Sequence, residues 1–262
     1  VSAQTEEKSR PGAEEVSIRE CASVAEFDAC VRLQREVFAL PDIEISPRRH
    51  LIVSRSAGGW TLGAFQGDRL VGFVHHLAAV YGDRVGGYSH MMAVAEDFQN
   101  RGLGARLKWA QRARAISEGR DFIKWTFEPA RARNAHFNLN RLGAVVRTYA
   151  ANFYGTDYAT FDGEFGRPFG IDSDRLIAEW NLNSPRVEAF ARGEQLTRDT
   201  QPEATVEIPP DWNALVREDP ARAREELLRV RHEFQHALAA GLVCSGFERD
   251  ATRPRYLFFR DE

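Results

Sequence analysis

The segment Gln99-Asn100-Arg101-Gly102-Leu103-Gly104 stands where a strand-like run gives way to a helical one. Two glycines let the main chain come close to a ligand, and the first N–H groups of a helix lack intrahelical acceptors. With the positive end of the helix dipole, such a turn suits a pyrophosphate. A purely structural turn shows the same bare pattern, so the neighbourhood has to decide. Upstream, His90 has an intrinsic pKa suited to a general base. Strand alternation predicts that Tyr88, His90 and Met92 share one face. Glu128, at the end of the following strand, is the second candidate base. His75 and His76 are adjacent, so at most one of them can face a common cleft.

Two other patterns invite a different chemistry. His232-Glu233-Phe234-Gln235-His236 matches H-E-x-x-H, whose histidines would bind zinc with the glutamate as base. At about 100° per residue, however, Leu227, Val230, Phe234, Leu238 and Gly241 form one stripe and both histidines fall nearly opposite. Glu248 is the nearest downstream carboxylate and no zincin extension follows, so no metal site is expected. Gly102 and Gly104, with Glu128 beyond, also suggest a dinucleotide fold, but Leu107 occupies the third glycine position.

The stretch Met91–Leu107 resembles the acyl-CoA-binding motif of the GNAT superfamily of N-acyltransferases. That motif reads Gln/Arg-x-x-Gly-x-Gly/Ala after a central strand, and Gln99, Gly102 and Gly104 fit it. A second family element, an asparagine early in the next helix and a glycine ending it, is similar to Asn134 and Leu142-Gly143-Ala144. The resemblance spans roughly residues 16–182. It implies acetyl-CoA or another acyl-CoA as cofactor, with Met92, Ala93 and Val94 offering main-chain groups to the pantetheine arm. Behind Gln99, the amides of Asn100, Arg101, Gly102, Leu103, Gly104 and Ala105 would hold the pyrophosphate. Asn134 would lie beside the pantetheine, and Arg106 or Lys108 would be the candidates for the adenosine phosphate.

The implied chemistry is direct attack of a neutral amine on the thioester, since no cysteine lies in the motif region. A backbone N–H near Val94 would stabilise the oxyanion, and His90 or Glu128 would take the amine proton. Many members carry a tyrosine four residues before the final glycine as acid to the thiolate. Here that position is Leu139. Tyr149, Tyr154 and Tyr158 are the substitutes, with Tyr154 taken as the candidate. Leu139 also motivates the alternative reading, a non-catalytic acyl-CoA-binding sensor or scaffold. The acceptor is expected to be a small-molecule or peptide amine, and the Gly155–Phe169 loop, with Asp157, Asp162 and Glu164, offers it acidic groups.

The elements that must position these residues follow from pattern. Val16–Cys21 reads as a strand. Ser23 and Glu26 form a capping box for a helix running to Phe38, and a second helix is expected near Arg48–Arg55. Trp60–Gln66 and Leu70–Val80 are strands around a Gly67-Asp68 turn, and a loop from Tyr81 to Gly87 leads to a strand at Tyr88–Ala95. Ala105–Glu118 is a helix and Asp121–Glu128 a strand. A helix ending at Gly143 follows, then strands at Val145–Tyr149 and Leu176–Asn181. The prolines of 184–210 predict a long connection, with a helix at Pro220–Ala240 and a terminal hairpin beyond. The fold class is α/β (α+β), a GNAT-like mixed, mostly antiparallel twisted sheet flanked by helices, with a C-terminal helix-plus-hairpin extension. Residues 1–14 are expected to be a disordered tail, 15–182 the acyl-CoA-binding domain, and 183–262 an extension. That extension would cover the acceptor site, form a homodimer contact or be a degenerate second lobe.

The 262 residues carry 35 basic and 38 acidic side chains, and only Lys8, Lys108 and Lys124 are lysines. The balance excludes a concentrated basic face for nucleic acid, so the arginine excess is read mainly as composition. No apolar run is long enough for a membrane span. Cys21, Cys30 and Cys244 show no metal-ligand spacing, and a cytoplasmic location with reduced thiols is expected.

Overall fold

The computed structural model describes residues 15–38, 40–158, 169–194 and 200–261. The expected tail at 1–14 and the loop acids Asp162 and Glu164 lie outside the described residues. The chain begins with β1 (Ser17–Glu20), α1 (Val24–Phe38) and α2 (Arg48–Ser56). The capping box forms as its chemistry requires: Glu26 N–H donates to Ser23 Oγ at 3.2 Å, and Ser23 N–H to Glu26 Oε2 at 2.9 Å. A meander follows, β2 (Trp60–Gln66), β3 (Arg69–Tyr81) and β4 (Arg84–Val94). The loop expected at Tyr81–Gly87 is mostly strand. Gly82, at a φ of 64°, turns the chain so tightly that pairing resumes at Tyr81 and Arg84.

After β4 come α3 (Leu103–Ser117), β5 (Phe122–Phe127), α4 (Ala132–His136), β6 (Val145–Ala150) and β7 (Arg175–Asn181). A π-helical turn, Phe137–Arg141, continues α4, and Gly143 ends the unit at a φ of 74°. A Cβ there would also lie 2.6 Å from Phe190, so only glycine fits. The long connection expected at 184–210 contains regular structure, α5 (Pro185–Ala191) and β8 (Ala204–Glu207). Ser184 caps α5 through Val187 N–H with proline at its first position, a start signal that counting prolines as loop markers hid. The chain closes with α6 (Trp212–Glu218), α7 (Pro220–Ala239), β9 (Leu242–Glu248) and β10 (Arg255–Arg260).

Ten strands among the described residues form one sheet in the order β1-β2-β3-β4-β5-β7-β6-β9-β10-β8. All pairings are antiparallel except β4 with β5. The C-terminal strands continue the first sheet, joined where Val146 of β6 meets Cys244 of β9. Asn140 holds this junction: its Nδ2 donates to Phe247 O and its Oδ1 accepts from Phe247 N, both at 3.0 Å. One face of the N-terminal strands packs on α1 and α2 through Phe27, Leu33, Leu51, Phe73 and Ala93. The other packs on α3 and α4 through Val74, Leu103, Leu107, Trp125, Leu139 and Trp180. Cys21, Cys30 and Cys244 are free and buried.

Candidate active site

The site begins with an extra residue in β4. Met91 pairs with His75 and Ser89 with His76, leaving His90 as a bulge. A bulge bends its strand and breaks the alternation of faces. His90 therefore projects on the α1–α2 side, while Met92 falls in the core on the α3 side. This corrects the expectation that Tyr88, His90 and Met92 share a face. The same bend parts β4 from β5. They pair only at Gly87 with Ile123 and Tyr88 with Lys124, so among the described residues Ser89–Val94 has no strand on that side. Closeness at the apex requires small residues, since a Cβ on Gly87 would lie 2.0 Å from His76 Cε1.

The open edge presents main-chain groups. Ala95 N–H donates to Val71 O of the neighbouring strand region, so the alternation of ladder bonds turns the peptide groups of Met92 and Val94 toward the gap. Ala93 pairs toward Phe73 instead. Gln99 Nε2 donates to Val94 O at 3.0 Å and fixes the turn to the strand. Asn100 and Gly102 take left-handed conformations, φ 60° and 78°, which swing the chain into α3. No side chain caps that helix, so the amides of Leu103, Gly104 and Ala105 face outward as free donors. A Cβ on Gly104 would meet Met92 Cε at 3.4 Å, so glycine keeps this entrance clear. Arg101 lies near the Phe98 ring.

The cations proposed for an adenosine phosphate are placed otherwise. Arg106 Nη2 donates to Val16 O at 2.6 Å. Lys108 is buried, donating from Nζ to Ser89 Oγ at 2.8 Å and Gln111 Oε1 at 3.0 Å above the Trp125 ring. Burial pushes its pKa down to about 7. Its helix position gave no hint of this, because α3 turns Lys108 inward at the parting of the strands.

On the α1–α2 side the splay opens into a cleft of polar and aromatic side chains. His90 Nε2 lies 3.2 Å from Ser46 Oγ, and its ring stands edge-on to His50, 5.2 Å between centroids. Loss of water contact, and then His50, hold its pKa below the ordinary histidine value. His50 Nε2 is buried with no hydrogen-bond partner. His75 lies behind, its nitrogens 2.8 Å from Thr61 Oγ1 and 3.0 Å from Ser54 Oγ. His76 is equally buried on the opposite face, stacked on Trp60 at 4.1 Å. Neither His75 nor His76 is exposed to the cleft.

Across the gap, Thr126 Oγ1 lies 3.2 Å from the Tyr154 hydroxyl. Tyr88 lies beside both, and burial with neighbouring Tyr154 pushes its pKa up to about 12. Tyr154 stacks on Tyr158 at 4.6 Å. Glu128 is occupied, accepting from Arg131 Nε at 2.8 Å. Asn134 is exposed on α4, and Leu139 is wholly buried. Tyr149 is taken inward, donating to Asp174 Oδ2 at 2.5 Å. Tyr88, Thr126, Ser46 and His50 are the site residues that residue spacing did not select; the bulge that gathers them leaves no local signature. The decoy histidines His232 and His236 are exposed on α7, and Glu233 pairs with Arg229 at 2.9 Å.

A meander opening at a bulged fourth strand, with an uncapped helix behind it, defines an acetyltransferase-type fold. Residues 27–143 match the model of the Acetyltransferase (GNAT) family. Solved structures agree on the fold. An acetyltransferase described as of the GNAT family, from Desulfovibrio desulfuricans, has a TM-score of 0.53 at 16% identity, covering 64% of this chain and 99% of that one. The ribosomal-protein-S18-alanine N-acetyltransferase of Escherichia coli has a TM-score of 0.50 at 16% identity, covering 65% and 96%. The NatC complex bound to a Gag peptide and CoA has a TM-score of 0.51 at 12% identity, covering 64% and 99%. No curated protein matches the chain in sequence.

Proposed function

We propose that the chain is an N-acetyltransferase that transfers an acetyl or other acyl group from acyl-CoA to an amine. The observation that carries this is the parting of β4 from β5 after Tyr88, which exposes a strand edge beside the uncapped start of α3. The edge groups of Met92 and Val94 fit an extended amide-bearing arm. The turn Gln99–Ala105 fits a pyrophosphate, with its amides as donors. Bound acyl-CoA would supply the activated thioester. CoA in the NatC complex is in keeping with this assignment.

His90 is the group placed to accept the amine proton. Its lowered pKa keeps it unprotonated at neutral pH, as a base must be. The main chain of β4 near Val94 supplies a fixed N–H dipole for a developing oxyanion. Tyr154, or Tyr88 beside it, holds a proton for the leaving thiolate, and the raised pKa of Tyr88 keeps its proton in place. These hydroxyls take the role that Leu139, sealed in the core, does not fill. Trp212 of α6 and Leu227 of α7 line a small cavity with Glu128 and Arg175, so the extension reaches the end of β5.

The test is thiol release from acetyl-CoA against a panel of small-molecule and peptide amines, beside acetyl-CoA binding. Turnover supports the transferase. Binding without release over a broad panel favours a sensor or scaffold.

A further inference from the structure

Beside Tyr154 lies a buried arginine that makes no direct ion pair with a carboxylate among the described residues. Arg175 opens β7 and follows the register that sets Lys124 opposite Glu179 and Thr126 opposite Ile177. It therefore lies on the same face as Thr126. Only 6% of it is exposed. The surrounding acids are all engaged by other arginines. Asp174 and Asp172 accept from Arg231 at 2.6 and 2.8 Å, and Glu128 from Arg131 at 2.8 Å. Arg175 Nη1 donates to the main-chain oxygen of Asp174 at 2.9 Å. Its Cζ lies 5.0 Å from the Tyr154 ring centroid and 5.9 Å from that of Tyr158.

A buried guanidinium with donors left unpaired is costly. The buried side-chain atoms without a hydrogen-bond partner are His50 Nε2 and His136 Nδ1 among the described residues. Arg175 has further donors beyond its bond to Asp174, and its side chain borders a small cavity with Glu128, Asp172 and Trp212. We propose that Arg175 receives a carboxylate of the acceptor, so that the substrate is an amino acid or another amine bearing a carboxylate. This rests on the acyl-transfer reading above. A guanidinium fork matches a planar carboxylate. The nearby Asp172, Asp174 and Glu128 disfavour a dianion such as phosphate and tolerate a monoanion better. Tyr154 connects the two ends of the substrate. Its hydroxyl meets Thr126 at the mouth of the gap, and its ring lies against Arg175.

The experiment is thiol release from acetyl-CoA with matched acceptor pairs. Each pair is an amino acid, with the spacing between amine and carboxylate varied across the set, and its carboxamide. The free acids are expected to react with the higher kcat/KM. In Arg175→Gln the preference for acid over amide should fall about 10- to 100-fold, the range of a charged hydrogen bond, and Arg175→Lys should keep part of it. Acetyl-CoA affinity measured on each variant reports folding. Amides reacting as well as acids in the wild-type chain overturn the proposal and leave the transferase standing. So does an Arg175→Gln variant that slows acids and amides equally, the mark of a structural role. Absence of both acetyl-CoA binding and thiol release overturns the transferase reading and this proposal with it.

Discussion

A base that takes a proton from an amine must be unprotonated when the amine arrives, and His90 meets that condition through its surroundings. Partial burial beside His50 lowers its pKa. Raising the pH deprotonates a histidine, so a lowered pKa extends the active form to more acidic solution. The kcat of the wild-type chain, at saturating acetyl-CoA and amine, should stay level from neutrality through pH 6 and fall only below it. His90→Gln should lower kcat about 100-fold and abolish that acid limb; an acid limb centred at or above pH 6.5 would contradict the assignment. His90 was legible in the sequence as a histidine near the motif, but its neighbours were not. His50 and Ser46 come from the α1–α2 region, and only the bulge brings His90 to them. The acidic loop proposed for a cationic acceptor shows the opposite case. Asp157 is tied into its own loop, accepting from Ile171 N–H at 3.1 Å.

Among elements, the turn into α3 carries the cofactor proposal. Its glycines were legible because they act through the backbone, which local sequence reports directly. Gly102 holds a φ of 78° with open space around it, so Gly102→Val should cost about 1–2 kcal/mol of stability through strain rather than collision. Thermal unfolding of that variant measures this. The β9 junction is the second element under test. Asn140→Ala removes both 3.0 Å bonds to Phe247 and should cost about 2 kcal/mol in denaturant unfolding. That junction was not legible, because the two residues are far apart in sequence and the asparagine sits in an unremarkable helical run. β8 was missed for a related reason: a short edge strand among prolines acquires its hydrogen bonds only from β10.

At the scale of the whole molecule, one sheet joins the transferase fold to the C-terminal strands, and two histidines are sealed within its first part. Burial lowers the pKa of His75 and of His76 to about 3. Both bind a proton more readily when unfolded. Their neutral forms therefore stabilise the fold fully above about pH 6.5, and that stability is lost as pH falls toward 3. Together the pair should contribute up to about 2.7 kcal/mol per pH unit to the decline of unfolding free energy below pH 6, and replacing His75 with glutamine should roughly halve that contribution. The order of strands up to β7 was legible from short turns and alternation. The continuation of the sheet through β9, β10 and β8 was not, since it depends on long-range pairing. The same limit hid Arg175, which in the sequence is one of many arginines.

The proposed transfer requires an acyl-CoA seat at the parted strands, and calorimetric titration with acetyl-CoA of the wild-type chain and Gly104→Glu tests that seat most directly. The variant places a carboxylate where the amides of α3 would meet a pyrophosphate, beside Met92 at 3.4 Å. Saturable one-to-one binding by the wild-type chain, weakened at least tenfold in Gly104→Glu, is the predicted result. No binding by the wild-type chain, or equal affinity in both, would contradict it.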